Sequence, residues 1–457
     1  MIAPGASTAA DSTYSAPVPT VRNFGRNLRF RPATIARPRD RDEVRAIVRA
    51  APRLRAVGAA HSWSPAIVTD GTLVSLDRMR APIALDRGRM QVTVQGGMRL
   101  HELNAHLAGH GLALTSLGSI DQQAVAGIIA TGTHGSGARF PCISAGVARL
   151  ELVDGRGDVV TLARGEPDFA GAVVGLGALG VTTAVTFDVV PAFQLHDRTD
   201  RAGFAAAVAG LDAAVAASDH YKLWWLPPGD EVIVYDRRRT DRPASDSALR
   251  RFVKDRVVSV GVYRALVAVG HASGRRWIPG INRLLTREAG RPLDRIVPSA
   301  VGFLTPVPPV HREAEWAFDA RDAAALLPAY RAELLADGHT YNFIQEIRWS
   351  AADDLWLSPG YQRDTVWLSL YNIDRRNWAA QLARFETFAR AHGGRPHWGK
   401  EARFERAYLR QQYPRLDDFA ALAARFDPAR KFRNPWLDAI LDGVTVARSF
   451  ELALGSP

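Results

Sequence analysis

Short apolar runs of two different periods alternate along this chain. In residues 40–50 (DRDEVRAIVRA), Val44, Ile47 and Val48 recur at three- and four-residue spacing, which predicts a helix with one apolar face. Asp40 stands at the N-cap position, with Asp42 and Glu43 in the first turn. Residues 54–57, 73–76 and 91–94 read as short strands, the first running into Gly58, and residues 100–110 as a helix stopped by Gly111. Residues 149–153 and 159–162 flank Asp154-Gly155, a hairpin signal with a somewhat longer loop. Residues 181–190 (VTTAVTFDVV) predict a long β-branched strand closed by Pro191. Residues 31–191 thus read as one α+β domain.

Beyond residue 193 the pattern changes. Residues 205–217 form an Ala-rich helical run, followed by the aromatic strand 221–225 (YKLWW). Residues 237–300 read as basic and loop-rich, with helices of indistinct bounds. Residues 341–349 and 366–372 alternate as strands, and the last 60 residues read as helix, His-Trp-Gly-Lys loop, helix and a closing FDPARKFRNPWL. The first 22 residues, small and polar with several prolines, read as a loose tail, with neither the basic nor the apolar region of a signal peptide. The apolar stretch 257–269 holds Arg264 and falls short of the roughly 20 residues that span a bilayer, so a cytoplasmic location is expected.

Composition narrows the function classes. Hydrophobic residues make up 47% and charged residues 23%, enough for a large core and against a disordered chain. The net charge of +11 is diffuse, and the cluster Arg237-Arg238-Arg239 has Asp neighbours on both sides, so nucleic-acid binding is not expected. Cys142 is the only cysteine, which excludes an intramolecular disulfide and a Cys-rich zinc site.

The literal dinucleotide fingerprint Gly175-x-Gly177-x-x-Gly180 opens a β-branched run instead of a helix, so it reads as a tight turn before a strand. Two other loops suit an anion better. Residues 56–62 (AVGAAHS) and 131–137 (TGTHGSG) combine small residues, whose N–H groups turn inward, with hydroxyl donors; each embeds a histidine, His61 or His134. His61 has no carboxylate at metal-like spacing, and no metal is expected. Glu346 and Arg348 sit two apart on a strand and share a face, with Ile347 on the other; Ser369 and Tyr371 do likewise. His397-Trp398-Gly399-Lys400 puts a base, an aromatic plate and an ammonium within one turn, and a lysine there can stabilise developing negative charge.

These segments, in this order, resemble the flavoprotein superfamily named after vanillyl-alcohol oxidase, with a PCMH-type FAD domain, and within it the sugar-1,4-lactone oxidases of the gulonolactone and arabinonolactone oxidase group. The resemblance is carried by AVGAAHSWSPAIVTDG, HGLALTSLGSIDQQAVAGIIATGTHGSGARFP, QEIRWSAADDLWLSPGYQRD, GGRPHWGK and FDPARKFRNPWL, over roughly residues 25–440, and is weakest between about 195 and 335.

The resemblance implies a two-domain α+β flavoprotein: a flexible tail at residues 1–24, a PCMH-type FAD domain at 25–193, a substrate-binding cap at 194–394, and a segment at 395–457 returning to the FAD domain. It implies that Ala56, Val57, Gly58, Ala59, Ala60, His61 and Ser62 cradle the FAD pyrophosphate, with His61 bonded covalently to the flavin. Relatives usually have glycine where Ala60 precedes the His. A second cradle comprises Gly118, Ser119, Gly127, Ile128, Ile129, Ala130, Thr131, Thr133, His134 and Gly135, with Val181 near the adenine. Gly118, where a larger residue shields the flavin from oxygen in a dehydrogenase relative, leans toward an oxidase. Glu346, Arg348 and Lys400 match the catalytic trio, and Ser119, Ser369, Tyr371 and His397 the substrate-binding set; Ser369-Leu370-Tyr371 replaces a His-x-Thr pattern of alditol oxidase. The implied reaction oxidises an aldono-1,4-lactone, with hydride passing to flavin N5 and then to oxygen, releasing hydrogen peroxide. An alditol oxidase and a lactone dehydrogenase using cytochrome or quinone are the alternatives. The implied partners are a sugar lactone or polyol and molecular oxygen, with no membrane span, in a monomer or small homo-oligomer.

Overall fold

The computed structural model describes residues 19–246, 260–305, 309–336 and 338–445. The helix Arg41–Ala50 forms as the pattern predicts, with the Asp40 carboxylate accepting from Glu43 N at 2.8 Å. Its buried Val44 and Val48 pack on Leu54, Val74, Val153 and Val181. Leu54–Val57 pairs in parallel with Thr72–Ser75, which also pairs with Thr34–Ala36, so Leu54–Val57 is an edge strand.

A five-stranded antiparallel sheet follows, in the order Val159–Ala163, Val147–Val153, Val181–Asp188, Gln91–Gln95, Pro82–Asp86. The predicted hairpin pairs Val153 with Val159, and Gly180, at φ 155°, introduces Val181–Asp188 as a strand. A Cβ on Gly180 would lie 2.3 Å from the Val153 carbonyl oxygen, so the glycine of the false fingerprint serves close backbone packing.

The third unit is an eight-stranded antiparallel sheet, in the order Leu293–Pro298, Gln194–Gly203, Glu231–Thr240, His220–Trp225, Gln345–Ser350, Thr365–Asn372, Arg312–Asp319, Arg395–Pro396. Its period-two pattern divides two environments. Leu223, Trp225, Ile347, Leu368, Leu370, Ala314 and Trp316 join one core with residues of the helices Ala323–Ala336 and Trp378–Ala391. The alternate positions carry charges and rings, described below.

Chain segments far apart in sequence are stitched at Arg55. Its buried guanidinium donates to the carbonyls of Ala66 (2.6 Å), Leu176 (2.8 Å), Gly177 (2.8 Å) and Phe432 (2.7 Å). Leu54 N also donates to Lys431 O at 2.8 Å, and Asn434 Nδ2 to Val68 O at 2.9 Å, so FDPARKFRNPWL closes against the first βα unit.

The structure corrects several expectations. The tail is built in before residue 24: Val21–Arg22 pairs with Arg29–Phe30, Asn23 Nδ2 donates to Ser62 O (2.9 Å) and Phe24 N to Ala60 O (2.8 Å). The Ala-rich run is two helices, Phe204–Ala209 and Leu211–Ala217, because Gly210 leaves helical geometry between them. Arg237-Arg238-Arg239 lies within the strand Glu231–Thr240, where Arg237 pairs with buried Asp197 at 2.8 Å. The expected strand from residue 341 starts only at Gln345. Residues 257–259 of the apolar stretch lie outside the described residues; Val260–Ala272 is a helix. Among the described residues, no helix is long and apolar enough to cross a membrane.

Candidate active site

Strand register assembles the site. Antiparallel pairing puts Glu346 opposite Trp224 and Arg348 opposite Lys222 on one side, and Arg348 opposite Trp367 on the other. The next strand aligns Glu313 with Tyr371 and Glu315 with Ser369. All of these project from the face opposite the apolar core, forming a sheet of alternating charge.

Glu346 is the centre of it. Oε1 accepts from Lys222 Nζ (3.0 Å) and Trp224 Nε1 (2.8 Å), while Oε2 lies 3.4 Å from both Arg348 Nε and Tyr371 Oη. Burial pushes the carboxyl up, but Arg348 and Lys222 outweigh it and hold Glu346 down at about 2. The same burial pushes Lys222 down to about 8, against the pull of Glu346. The two long contacts leave Oε2 the oxygen best able to accept from an incoming hydroxyl. Arg348 donates to Glu315 Oε1 at 2.5 Å, and Ser369 Oγ to the same oxygen at 3.3 Å.

His61 and Lys400 meet through two loops. Trp63 N donates to Gly399 O (2.8 Å), Trp63 Nε1 to His311 O (2.9 Å), and the Lys400 ammonium lies 4.5 Å from the Trp63 ring centroid. Lys400 is ion-paired with Glu313, whose other oxygen is 3.5 Å from His311 Nε2. The His61 ring stacks on Phe24 at 5.0 Å, and its Nδ1 is buried without a partner. Burial, with Arg99 and Lys400 nearby, lowers His61 to about 4, so its imidazole is neutral.

His134, Glu315 and His397 bring ligand-type atoms within 4.8 Å of one another. Their bonding does not suit a cation. Gly399 N donates to His397 Nδ1 (2.9 Å), which leaves the ring proton on Nε2, and the Arg348 guanidinium already occupies Glu315. His134 Nδ1 donates to Gly135 O (3.0 Å), so its bare Nε2 faces Glu315 Oε2 across 3.5 Å; neither atom has a hydrogen-bond partner. Burial and Arg348 lower His134, and Arg348 with His134 holds Glu315 well below the usual carboxylate range despite its burial, so the gap carries no proton at neutral pH. His134 is stacked on Trp367, with ring centroids 3.5 Å apart.

The expected residues divide accordingly. Glu346, Arg348, Tyr371, Ser369, His134 and His397 gather on the charged face, joined through the Lys400 loop to His61. Ser369, at 0% exposure, is engaged by Glu315. Trp398 is no plate over the site: it is buried in the main core, stacked on Phe404, with Nε1 donating to Leu357 O. Val181, Ile128 and Ile129 turn their side chains into apolar cores. Lys222, Trp224, Glu313, Glu315 and Trp367 were missed by the sequence reading. The alternation in REAEWAFD already puts Glu313 and Glu315 on one face, whereas Lys222 carries no local signal.

The glycine loops fit a dinucleotide cofactor. Gly58 is pressed against Ala124, where a Cβ would be 2.7 Å from the Ala124 Cβ, and Gly135 lies over Ser116 and Leu117, where a Cβ would meet Ser116 Oγ at 2.3 Å. Ala60 (φ 52°) and Gly132 (φ 67°) adopt left-handed backbone at the turns of the two loops. Gly127, in the helix Val125–Ala130, faces open space, with nothing within 4 Å of a Cβ built there. The unpartnered Nδ1 of His61 lies at the end of the first loop, which meets the Lys400 loop at Gly399.

Comparison with known proteins agrees. Residues 185–440 match the D-arabinono-1,4-lactone oxidase family, and residues 32–163 match an FAD binding domain. The L-gulono-1,4-lactone dehydrogenase of Mycobacterium tuberculosis is 32% identical over 90% of this chain and 96% of that protein. An alditol oxidase of a Streptomyces species is 34% identical over 93% of this chain and 99% of that protein. Cholesterol oxidase from Brevibacterium sterolicum shares the fold, with a TM-score of 0.79 at 16% identity over 92% of this chain and 96% of its own. The chain therefore belongs to the aldonolactone oxidase family, as an FAD-dependent oxidoreductase of the vanillyl-alcohol-oxidase (PCMH-type) superfamily.

Proposed function

We propose that this enzyme oxidises the C2 hydroxyl of an aldono-1,4-lactone and passes the two electrons to molecular oxygen, giving a 2-keto-lactone and hydrogen peroxide. The observation that carries the reading is the Glu346–Arg348 pair, flanked by Tyr371 and facing the loop of Lys400. Glu346, ionised and bound on its Oε1 side, accepts hydrogen bonds from substrate hydroxyls at Oε2. Arg348, held by Glu315, grips the polar ring and carbonyl oxygens. Lys400 bonds the reacting hydroxyl and eases loss of its proton, while Glu313 anchors the ammonium. Ser119, Tyr371 and His397 complete the substrate side, and Ser369 supports it from beneath through Glu315.

FAD, when bound, supplies the hydride acceptor. In this reading the loops 56–62 and 131–137 and residues 118–119 and 127–130 hold it, within a domain of residues 25–193 and 395–457, and residues 194–394 form the cap. His61 makes the covalent link; its neutral, buried and unpartnered Nδ1 supports that assignment. Gly118 favours oxygen as acceptor: a Cβ there would meet nothing nearer than the His134 carbonyl oxygen at 3.5 Å, so packing does not require glycine. Similarity to the mycobacterial dehydrogenase favours a second reading, in which a redox protein or quinone takes the electrons.

Acid precipitation of the purified protein, followed by anaerobic stopped-flow mixing with aldonolactones and alditols, tests this. Flavin that stays with the pellet, is lost from the pellet in His61→Ala, and is bleached fastest by a lactone is the expected result. Bleaching by polyols alone would move the substrate to alditols, and turnover with an artificial acceptor but not with oxygen would overturn the oxidase assignment.

A further inference from the structure

We propose a second small-molecule site, for a polyhydroxylated carboxylate, on the side of the eight-stranded sheet opposite the charged face. A cavity of about 360 Å³, within the usual range of roughly 300–1,000 Å³ for small ligands, is lined by Arg275, Arg276, Thr340, Asp374, Asn377 and Gln381. It lies at the end of the strand Thr365–Asn372. Tyr371 projects to the charged face and Asn372 away from it, so the cavity and the active site are back to back.

One buried donor points to a ligand. Asn372 is fixed by two backbone groups: its Oδ1 accepts from Asp374 N (3.1 Å) and its Nδ2 donates to Thr340 O (3.3 Å). The same Nδ2 donates to Gln381 Oε1 at 2.9 Å. The amide of Gln381 is thereby oriented, and reversing it would set two NH₂ groups against each other. Its Nε2 is left buried with no acceptor, in a residue only 1% exposed that lines the cavity. A buried donor without a partner is costly, and an acceptor in the cavity that the Gln381 amide turns to meet removes that cost.

The charges select the acceptor. Arg275 is ion-paired with Asp374, which also lies 3.5 Å from Arg376 Nε. Arg276 stands exposed and adds a positive charge to that of Arg275, against Asp374 as the one carboxylate among the described lining residues. A carboxylate therefore lies toward Gln381 and the arginines, and ligand hydroxyls meet the mixed donors and acceptors of Thr340, Asn377 and Asp374. This class follows from the lining alone and does not depend on the substrate proposed above.

The test is calorimetric titration of the flavin-loaded enzyme with sodium gluconate and, separately, inorganic phosphate, without turnover. Gluconate is expected to bind one site, at least tenfold more weakly in both Gln381→Met and Arg276→Ala, with flavin reduction unchanged. Arg276 is exposed, so its variant tests the site without risk to the core. Absence of gluconate binding, or binding altered less than twofold in Arg276→Ala, would overturn the site. Phosphate binding more tightly than gluconate would overturn the ligand class.

Discussion

Replacing Lys222 by methionine tests the charged face where sequence reading saw nothing. Methionine keeps the buried stem and removes the ammonium 3.0 Å from Glu346. At that distance and an effective dielectric constant of about 20, the lost attraction is about 5.5 kcal/mol. Arg348 and Trp224 remain, and water entering the gap recovers part of the loss, so about half of it should appear at Glu346. That is about 2.7 kcal/mol, or about two pK units, moving the carboxyl from about 2 to about 4. The assay is the pH dependence of anaerobic flavin reduction by a lactone. The native enzyme should show no acid limb above pH 4 and a decline above about 8, where Lys222 loses its proton. In the variant the alkaline decline should vanish, and an acid limb should enter the range near pH 4–5 as Glu346 protonates. A variant that keeps the native alkaline limb and gains no acid limb would refute the assignment. Stability follows the same pair with opposite signs. The folded pKa of Glu346 lies below its ordinary 4.5, so its contribution is present above 4.5 and fades as pH falls toward 2. Folding depresses Lys222 from 10.5 to about 8, a penalty that is full below 8 and is relieved as pH rises from 8 to 10.5.

Gly118→Ala fits sterically and should slow reoxidation by oxygen at least tenfold, while flavin reduction changes less than threefold; equal reoxidation rates would remove Gly118 from the acceptor argument. Gly135→Ala drives a Cβ into Ser116 Oγ and Leu117 O and should cost about 1–3 kcal/mol, read as a lower melting temperature. Gly127→Ala meets no atom and should melt no lower than the native chain; reduced flavin content with unchanged melting is the signature of a cradle wall there. Asp40→Ala removes the bond to Glu43 N and should cost about 1 kcal/mol in denaturant unfolding; no change would mean that water caps the helix equally well.

What was legible in the sequence is what depends on neighbours along the chain. The Asp40 cap, the hairpin after Val153 and the shared face of Glu346 and Arg348 each need only a few residues of context, and each is present. The division of the Ala-rich run needed only Gly210, whose weight against helix the many alanines masked. Lys222 was not legible, because a lysine between Tyr221 and Leu223 reads as a solvated edge until pairing brings Glu346, 124 residues away, beside it. Trp398 allowed two readings, a plate beside the site or a ring packed within a polar loop, and it is packed. Polar neighbours in a loop motif suggest exposure, yet the indole found a carbonyl partner at Leu357 and a place in the core.

The four carbonyls gathered by Arg55 bear on how the chain is made. Its bond to Phe432 spans 377 residues. At about 5–20 residues per second, a ribosome needs roughly 20–75 seconds to travel that distance. Throughout this interval the growing polypeptide holds a buried-type guanidinium with at least one acceptor missing, and Leu54–Val57 as a sheet edge whose first amide has yet to meet Lys431. An open edge is a template for pairing with other chains. The nascent protein is thus most exposed to aggregation late in synthesis, and its last fifty or so described residues act as the clasp that ends that exposure.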